Sequence, residues 1–206
     1  AFGALGADTL GSRTVAIGFG ALDAQNFTTA TDSFNVAVGY DAGGAVTTGL
    51  SNTLIGGVAG DALTDADHNT AIGNESLTAD TLGSKSTAIG SLALTTQNFT
   101  TATDTFNTAV GFQAGTSVTT GVFNTLIGAL AGDALTVGGE NDALGLGALT
   151  ADTKGSHTVA IGRGTLEAQN FTTATDVYNV AVGSFAGRNV TTGKENTIVG
   201  GLAFDA

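Results

Sequence analysis

Apolar and polar positions recur along this chain on a fixed beat. Asn107-Thr108-Ala109-Val110-Gly111 is one instance of a motif that occurs eleven times, closing on Gly18, Gly39, Gly56, Gly73, Gly90, Gly111, Gly128, Gly145, Gly162, Gly183 and Gly200. The residue before each glycine is Ile, Val or, at Leu144, Leu. Position −2 is Ala, Leu or Ile, and position −3 is Val or Thr except at Asp142. Position −4 is Asn35, Asn52, Asn69, Asn107, Asn124, Asn141, Asn179 and Asn196, or else Thr14, Ser86 and Thr158. Position +3 is always Ala, Ser or Thr. A twelfth start is visible where Ala1 holds the glycine place.

A four-residue run rich in aliphatic and β-branched residues and closed by Gly predicts a short strand and a turn, and is too short and too often interrupted by Gly for a helix. Strand side chains alternate between faces. Positions −1 and −3 therefore share one face, and −2 and −4 the other. One face can pack inside the chain's own coil. The other would leave an apolar stripe in water unless something covers it, which points to an oligomer.

Glycine spacings of 17, 17, 17 and 21 sum to a superrepeat of 72 residues that no insertion or deletion disturbs. The expected fold is all-β: a parallel β-solenoid of about 12 coils of 17 or 21 residues, in an oligomer. It is read as one continuous array over residues 1–206. The chain begins and ends in mid-repeat, so it is expected to be an excerpt of a longer polypeptide.

The coil of 21 carries its extra residues in Gln25 to Asp32, repeated as Gln97 to Asp104 and Gln169 to Asp176. It should bulge from one side about every 19 Å, given the spacing of adjacent strands. Phe27, Phe99 and Phe171 lie within it and Phe34, Phe106 and Tyr178 follow seven residues later. These aromatics either brace the bulge or offer a sugar-stacking surface, with Phe27, Phe99 and Phe171 as the candidate contacts. Deleting Asn98 to Thr101 should remove the bulge and spare the array. Position +4 alternates in pairs between Leu and Gly until Phe204 breaks the pattern. The asparagines form either a stacked amide ladder inside the coil or simple turn chemistry before the strand.

Composition narrows the functional classes. Acidic residues number 18 against 6 basic, giving a net charge of −12, which disfavours nucleic acid and anionic membrane surfaces as partners. Cys is absent, so disulfides, thiolate metal sites and cysteine nucleophiles are excluded. No apolar run approaches the roughly 20 residues that span a bilayer.

Candidate chemistry is sparse. Gly145-x-Gly147 and Gly162-x-Gly164 lack the third glycine and following helix of a dinucleotide loop, and read as coil corners. His68 and His157, the two histidines, stand in non-equivalent contexts and read as exposed turn residues, without a triad or zinc site. The recurring acids Asp8, Asp80 and Asp152, Asp32, Asp104 and Asp176, and Asp61, Asp133 and Asp205 read as surface solvation. Occasional calcium binding is the alternative, and no other cofactor is expected.

Asn107-Thr108-Ala109-Val110-Gly111-Phe112-Gln113-Ala114-Gly115 resembles the head repeats of trimeric autotransporter adhesins and the shaft repeats of phage tail fibres. The resemblance covers essentially the whole chain. It implies a left-handed parallel β-roll with two short strands per coil and three chains around an apolar axis. Adhesin heads usually lack a regular four-residue insertion, which favours a shaft.

The resemblance implies a non-enzymatic structural or adhesive fibre, extracellular, on a virion tail or bacterial surface. It would attach to a host or surface, with itself and a cell-surface glycan or protein receptor as partners. The alternatives are a monomeric β-solenoid binding an ordered surface such as ice, through pairs such as Thr28-Thr29 and Thr47-Thr48, and a tailspike-type glycan depolymerase, which would need a carboxylate pair.

Overall fold

The computed structural model describes residues 2–205, so the twelfth corner at Ala1 lies outside the described residues. They contain no helix and form a parallel β-solenoid of about eleven turns, with one three-residue strand in each turn. The chain divides into two compact units, Ala1–Phe106 and Asn107–Ala206.

The first unit holds β1 (Gly11–Ser12), β2 (Val15–Ile17), β3 (Thr31–Asp32), β4 (Val36–Val38), β5 (Thr53–Ile55), β6 (Thr70–Ile72), β7 (Gly83–Ser84), β8 (Thr87–Ile89) and β9 (Thr103–Asp104). Strands β2, β4, β5, β6 and β8 pair in that order, all parallel and in strict register: Ile17 faces Val38, Val38 faces Ile55 and Ile72 faces Ile89. The second unit holds β10 (Thr108–Val110), β11 (Thr125–Ile127), β12 (Asp142–Leu144), β13 (Gly155–Ser156), β14 (Val159–Ile161), β15 (Thr175–Asp176), β16 (Val180–Val182) and β17 (Thr197–Val199). There β10, β11, β12, β14, β16 and β17 pair in the same manner.

The two strands per coil implied by the fibre families are only partly present. A second ladder exists only where a 17-residue turn meets an insertion: β1 with β3, β7 with β9 and β13 with β15. The backbone is bent by left-handed residues at the same three positions, −5, +2 and +4, in every turn, with or without a second ladder. Ser51, Val58 and Gly60 in one turn have φ of 58°, 48° and 56°, and Phe123, Leu130 and Gly132 in another have 60°, 59° and 55°. The Leu or Gly at +4 is one of these left-handed positions, and Phe204 occupies it too, at φ 56°.

The motif glycine is required by stacking. Gly18 has φ 135°, and a Cβ there would stand 2.0 Å from the Gly39 carbonyl oxygen of the next turn. No other residue tolerates both the dihedral and the approach.

The core runs up the inside of each unit. Ala37, Leu54, Ala71 and Ala88 at −2, and Ala109, Leu126, Ala143, Ala160 and Ala181, are buried. The paired alternation at +4 is a matter of volume. Where +4 is Gly, position +7 supplies the bulk: Gly43 with Val46, Gly60 with Leu63. A Cβ on Gly60 would lie 2.8 Å from Leu54 and 2.9 Å from Leu63. Where +4 is Leu, position +7 is polar: Leu22 with Gln25, Leu77 with Asp80, Leu94 with Gln97. Close packing tolerates neither a void nor an extra methyl, so the two positions are coupled.

Candidate functional site

The asparagines form an interior column in each unit, and all but Asn196 are fully or almost fully buried. Their bonds reach the backbone of the next turn. Asn35 Oδ1 accepts the N–H of Asn52 at 2.8 Å, Asn52 Oδ1 that of Asn69 at 2.9 Å, and Asn69 Oδ1 that of Ser86 at 2.9 Å. Their amide nitrogens donate across the coil to the carbonyls of Gly49, Ala66 and Gly83. The second unit repeats this: Asn107 Oδ1 accepts from Asn124, Asn124 from Asn141, Asn141 from Thr158 and Asn179 from Asn196. Direct amide-to-amide bonds are few and long, as between Asn124 Nδ2 and Asn107 Oδ1 at 3.3 Å. Each asparagine but Asn196 thus satisfies backbone groups in two turns, and none of these is presented to a ligand.

Three interior clusters of one construction accompany the insertions. Gln97 Nε2 donates to Asp80 Oδ2 at 2.6 Å and to Ser86 Oγ at 2.8 Å, while Asp80 Oδ1 accepts the N–H groups of Gly83 and Phe99. Gln169 binds Asp152 Oδ2 at 2.7 Å and Thr158, with Phe171 and Gly155 donating to Asp152 Oδ1. Gln25 binds Asp8 Oδ2 at 2.6 Å. The expected solvating role of these acids is corrected: Asp80 and Asp152 are fully buried. Burial pushes the Asp80 carboxyl up, against the hydrogen bonds from Gln97 and the backbone. At half-buried Asp8 desolvation acts in the same direction, but hydrogen bonds from Gln25, Gly11 and Phe27 outweigh it and lower the carboxyl.

The same bonds decide where the phenylalanines go. Phe27, Phe99 and Phe171, offered above as surface contacts, are buried at 5%, 8% and 8% exposure. At Phe99 and Phe171 the backbone N–H is drawn inward to the buried aspartate, and the ring follows. The exposed apex of the insertion is Thr28-Thr29-Ala30, Thr100-Thr101-Ala102 and Thr172-Thr173-Ala174. Of the aromatic pairs flanking the insertion, the exposed members are Phe34, Phe106 and Tyr178.

Each of those rings is met by a basic side chain and a carboxylate. Arg13 lies 5.3 Å from the Phe34 centroid and 3.4 Å from Asp32. Lys85 lies 5.1 Å from the Phe106 centroid and 2.5 Å from Asp104. His157 lies 4.9 Å from the Tyr178 ring, with Nδ1 3.4 Å from Asp176 and Nε2 3.3 Å from Glu140. His68 is exposed as expected, but His157 is half-buried and stands where the other clusters place Arg and Lys. The partners are 17 to 21 residues apart, so the pattern becomes visible once the residues at −5 are aligned.

Facing outward are positions −1 and −3. Ile17, Val38, Ile55, Ile72 and Ile89 make a column in the first unit, and Val110, Ile127, Leu144, Ile161, Val182 and Val199 one in the second; none is buried. Phe2, Phe19 and Tyr40 extend the first column's edge as a stack, with centroids 5.9 and 5.7 Å apart. Asp142 interrupts the second face between Thr125 and Val159. It joins Phe123 and Glu140 around an open hollow of about 500 Å³.

Among the described residues no group of three or more His, Asp or Glu side chains is placed to hold a metal ion. Asp61, which accepts from the Thr78 hydroxyl, is raised first by desolvation and further by the Asp41 carboxylate. Thr47, Thr64, Thr119 and Thr136 each spend their hydroxyl on a backbone carbonyl one turn on, at 2.8–3.2 Å.

No known family model, curated protein or solved structure matches this chain. The geometry of its own residues therefore carries the functional argument.

Proposed function

We propose that the chain is the shaft of an extracellular structural or adhesive fibre, in which three copies associate through their outward apolar faces. The array is built on the 72-residue superrepeat and projects a binding end from a phage particle or bacterial surface for host or surface attachment. The observation that carries this reading is the aliphatic column at −1 in each unit, no member of which is buried in the single chain and of which Ile17, Ile127, Ile161 and Val199 are exposed. A contiguous apolar stripe of this kind marks an interaction surface. Covering it would contribute about 25 cal/mol per Å² buried. The column belongs to every turn, so its natural partner is a surface of the same pitch, which a second copy of the chain supplies. In this reading the inward bonds of the asparagines hold each turn rigid, and no residue has a catalytic role. A monomeric binder of ordered surfaces gains no support from the threonines: Thr47 and Thr48 engage their hydroxyls within the chain, and Thr28-Thr29 belongs to an insertion that recurs once per 72 residues and gives no continuous face.

Light scattering on the intact chain tests the proposal. A threefold mass is expected, falling to a folded single chain in Ile127→Asp. A stable monomer at all concentrations would overturn the shared-face reading.

A further inference from the structure

The outward corner position two residues after each motif glycine is filled by a side chain in some turns and bare in others. In the second unit Leu130 and Phe185 fill it, while Gly147 and Gly164 between them do not. A Cβ on Gly164 would come within 2.7 Å of the Phe185 ring, so that ring lies over Gly164. A Cβ on Gly147 would meet nothing within 4 Å. What remains is a notch of about 290 Å³, walled by Leu130, Leu146 and Phe185 and rimmed by Thr150, Arg163 and Glu167.

We propose that this notch binds a carboxylated pyranose, an acidic sugar residue, with the carboxylate on Arg163. The charge pattern selects the anion. Arg188 is neutralised by Glu167 at 2.9 Å. Arg163 lies 5.2 Å from the centroid of the Phe185 ring and enters no ion pair among the described residues. In a chain of net charge −12, a guanidinium without a carboxylate partner beside an apolar recess is held for an incoming anion. Its planar fork suits a carboxylate through two parallel hydrogen bonds.

The walls select the rest of the ligand. The leucines take the C–H face of a ring. The Thr150 hydroxyl, which donates to Asp133 at 2.5 Å, keeps lone pairs to accept a sugar hydroxyl, as does the Glu167 carboxylate. The volume lies at the small end of ligand pockets, about 300–1,000 Å³, and admits one ring. The inference goes beyond the fibre reading and does not rest on it.

The test uses sodium D-glucuronate as probe, with D-glucose and benzoate as comparators, followed by calorimetry and saturation-transfer NMR on the intact chain. Gly147→Leu fills the notch at a backbone cost the fold already bears at this corner position, where Leu130 and Leu202 stand at φ 59° and 58°. Arg163→Gln removes the charge alone. Glucuronate is expected to bind the parent chain in preference to both comparators. Both substitutions should weaken it by about tenfold or more, a loss of at least 1.4 kcal/mol, with both variants folded by circular dichroism at the temperature of the binding assay. No binding of glucuronate at millimolar concentration would overturn the proposal. So would binding undiminished by Gly147→Leu, or equal binding of glucose or benzoate. Failure of the shaft reading is registered separately, by the mass of the assembly.

Discussion

Gln97 Nε2 lies 2.6 Å from Asp80 Oδ2, and both side chains are fully buried with no cation beside them. The carboxylate is held by an amide and by the backbone N–H groups of Gly83, Phe99 and Thr81. Its burial penalises the ionised form, which places its folded-state pKa above the ordinary 3.8. The stability it contributes is therefore fully present below about pH 3.8 and is lost as pH rises through the raised value. Asp80→Asn removes that dependence. The Tm of the variant minus that of the parent should be larger at pH 7 than at pH 3.5; an equal difference at both would show that Asp80 ionises freely. Asp8, lowered where Asp80 is raised, should act oppositely, with its contribution lost as pH falls.

Gly128 has φ 129°, and a Cβ there would stand 2.6 Å from the Gly145 carbonyl. Gly128→Ala should cost about 1–3 kcal/mol in backbone strain alone, with the clash added. Chemical denaturation would measure the loss, and a change within error would show that adjacent turns can part without penalty.

Asn124 accepts the buried N–H of Asn141 and donates to Gly138. Asn124→Ala leaves both backbone groups unsatisfied, for a loss of about 1–3 kcal/mol. Hydrogen exchange at the Asn141 amide should quicken more than at Asn196, whose bond to Asn179 is untouched.

Two substitutions on neighbouring positions separate the inner face from the outer one. Ala88 is fully buried and Ile89 half-buried on the outward side. Ala88→Asp should unfold the chain, because it buries an unpaired charge in the core. Ile89→Asp should leave the fold intact by circular dichroism and reduce the mass of the assembly. Conversely Asp142→Val, which completes the outward face of the second unit, should tighten association. Unfolding by Ile89→Asp would mean the outer column belongs to the chain's own core.

Much of this architecture was legible because period and register are carried by adjacent residues. The strand Thr125–Ile127, its buried Leu126 and the corner Gly128 all lie within one five-residue motif. The rest was not, because its partners are a turn apart. Nothing in Gln97 or Asp80 individually announces a buried pair, and surface solvation was the reading their polarity suggested. Phe99 looked available for contact until the inward pull of Asp80 on its N–H was visible. That also corrects the expected effect of deleting Asn98 to Thr101: the deletion would remove a buried ring along with an exposed apex, and should destabilise the array. The removable part is Thr100 to Ala102. His157 seemed unlike any other residue because its equivalents, Arg13 and Lys85, differ in type and share only position.

The bent corners carry a kinetic consequence. Nearly every turn holds non-glycine residues such as Leu22, Phe34, Val58 and Leu130 in the left-handed region, at about 1–3 kcal/mol for each residue so held. A lone turn is therefore uphill in its own backbone energy and has no means of holding its shape. Only a preformed neighbour, offering carbonyls and asparagine oxygens at the right pitch, makes the next turn favourable. Assembly of the chain should then behave as crystal growth does, with a slow seed of several turns followed by rapid accretion at an existing edge.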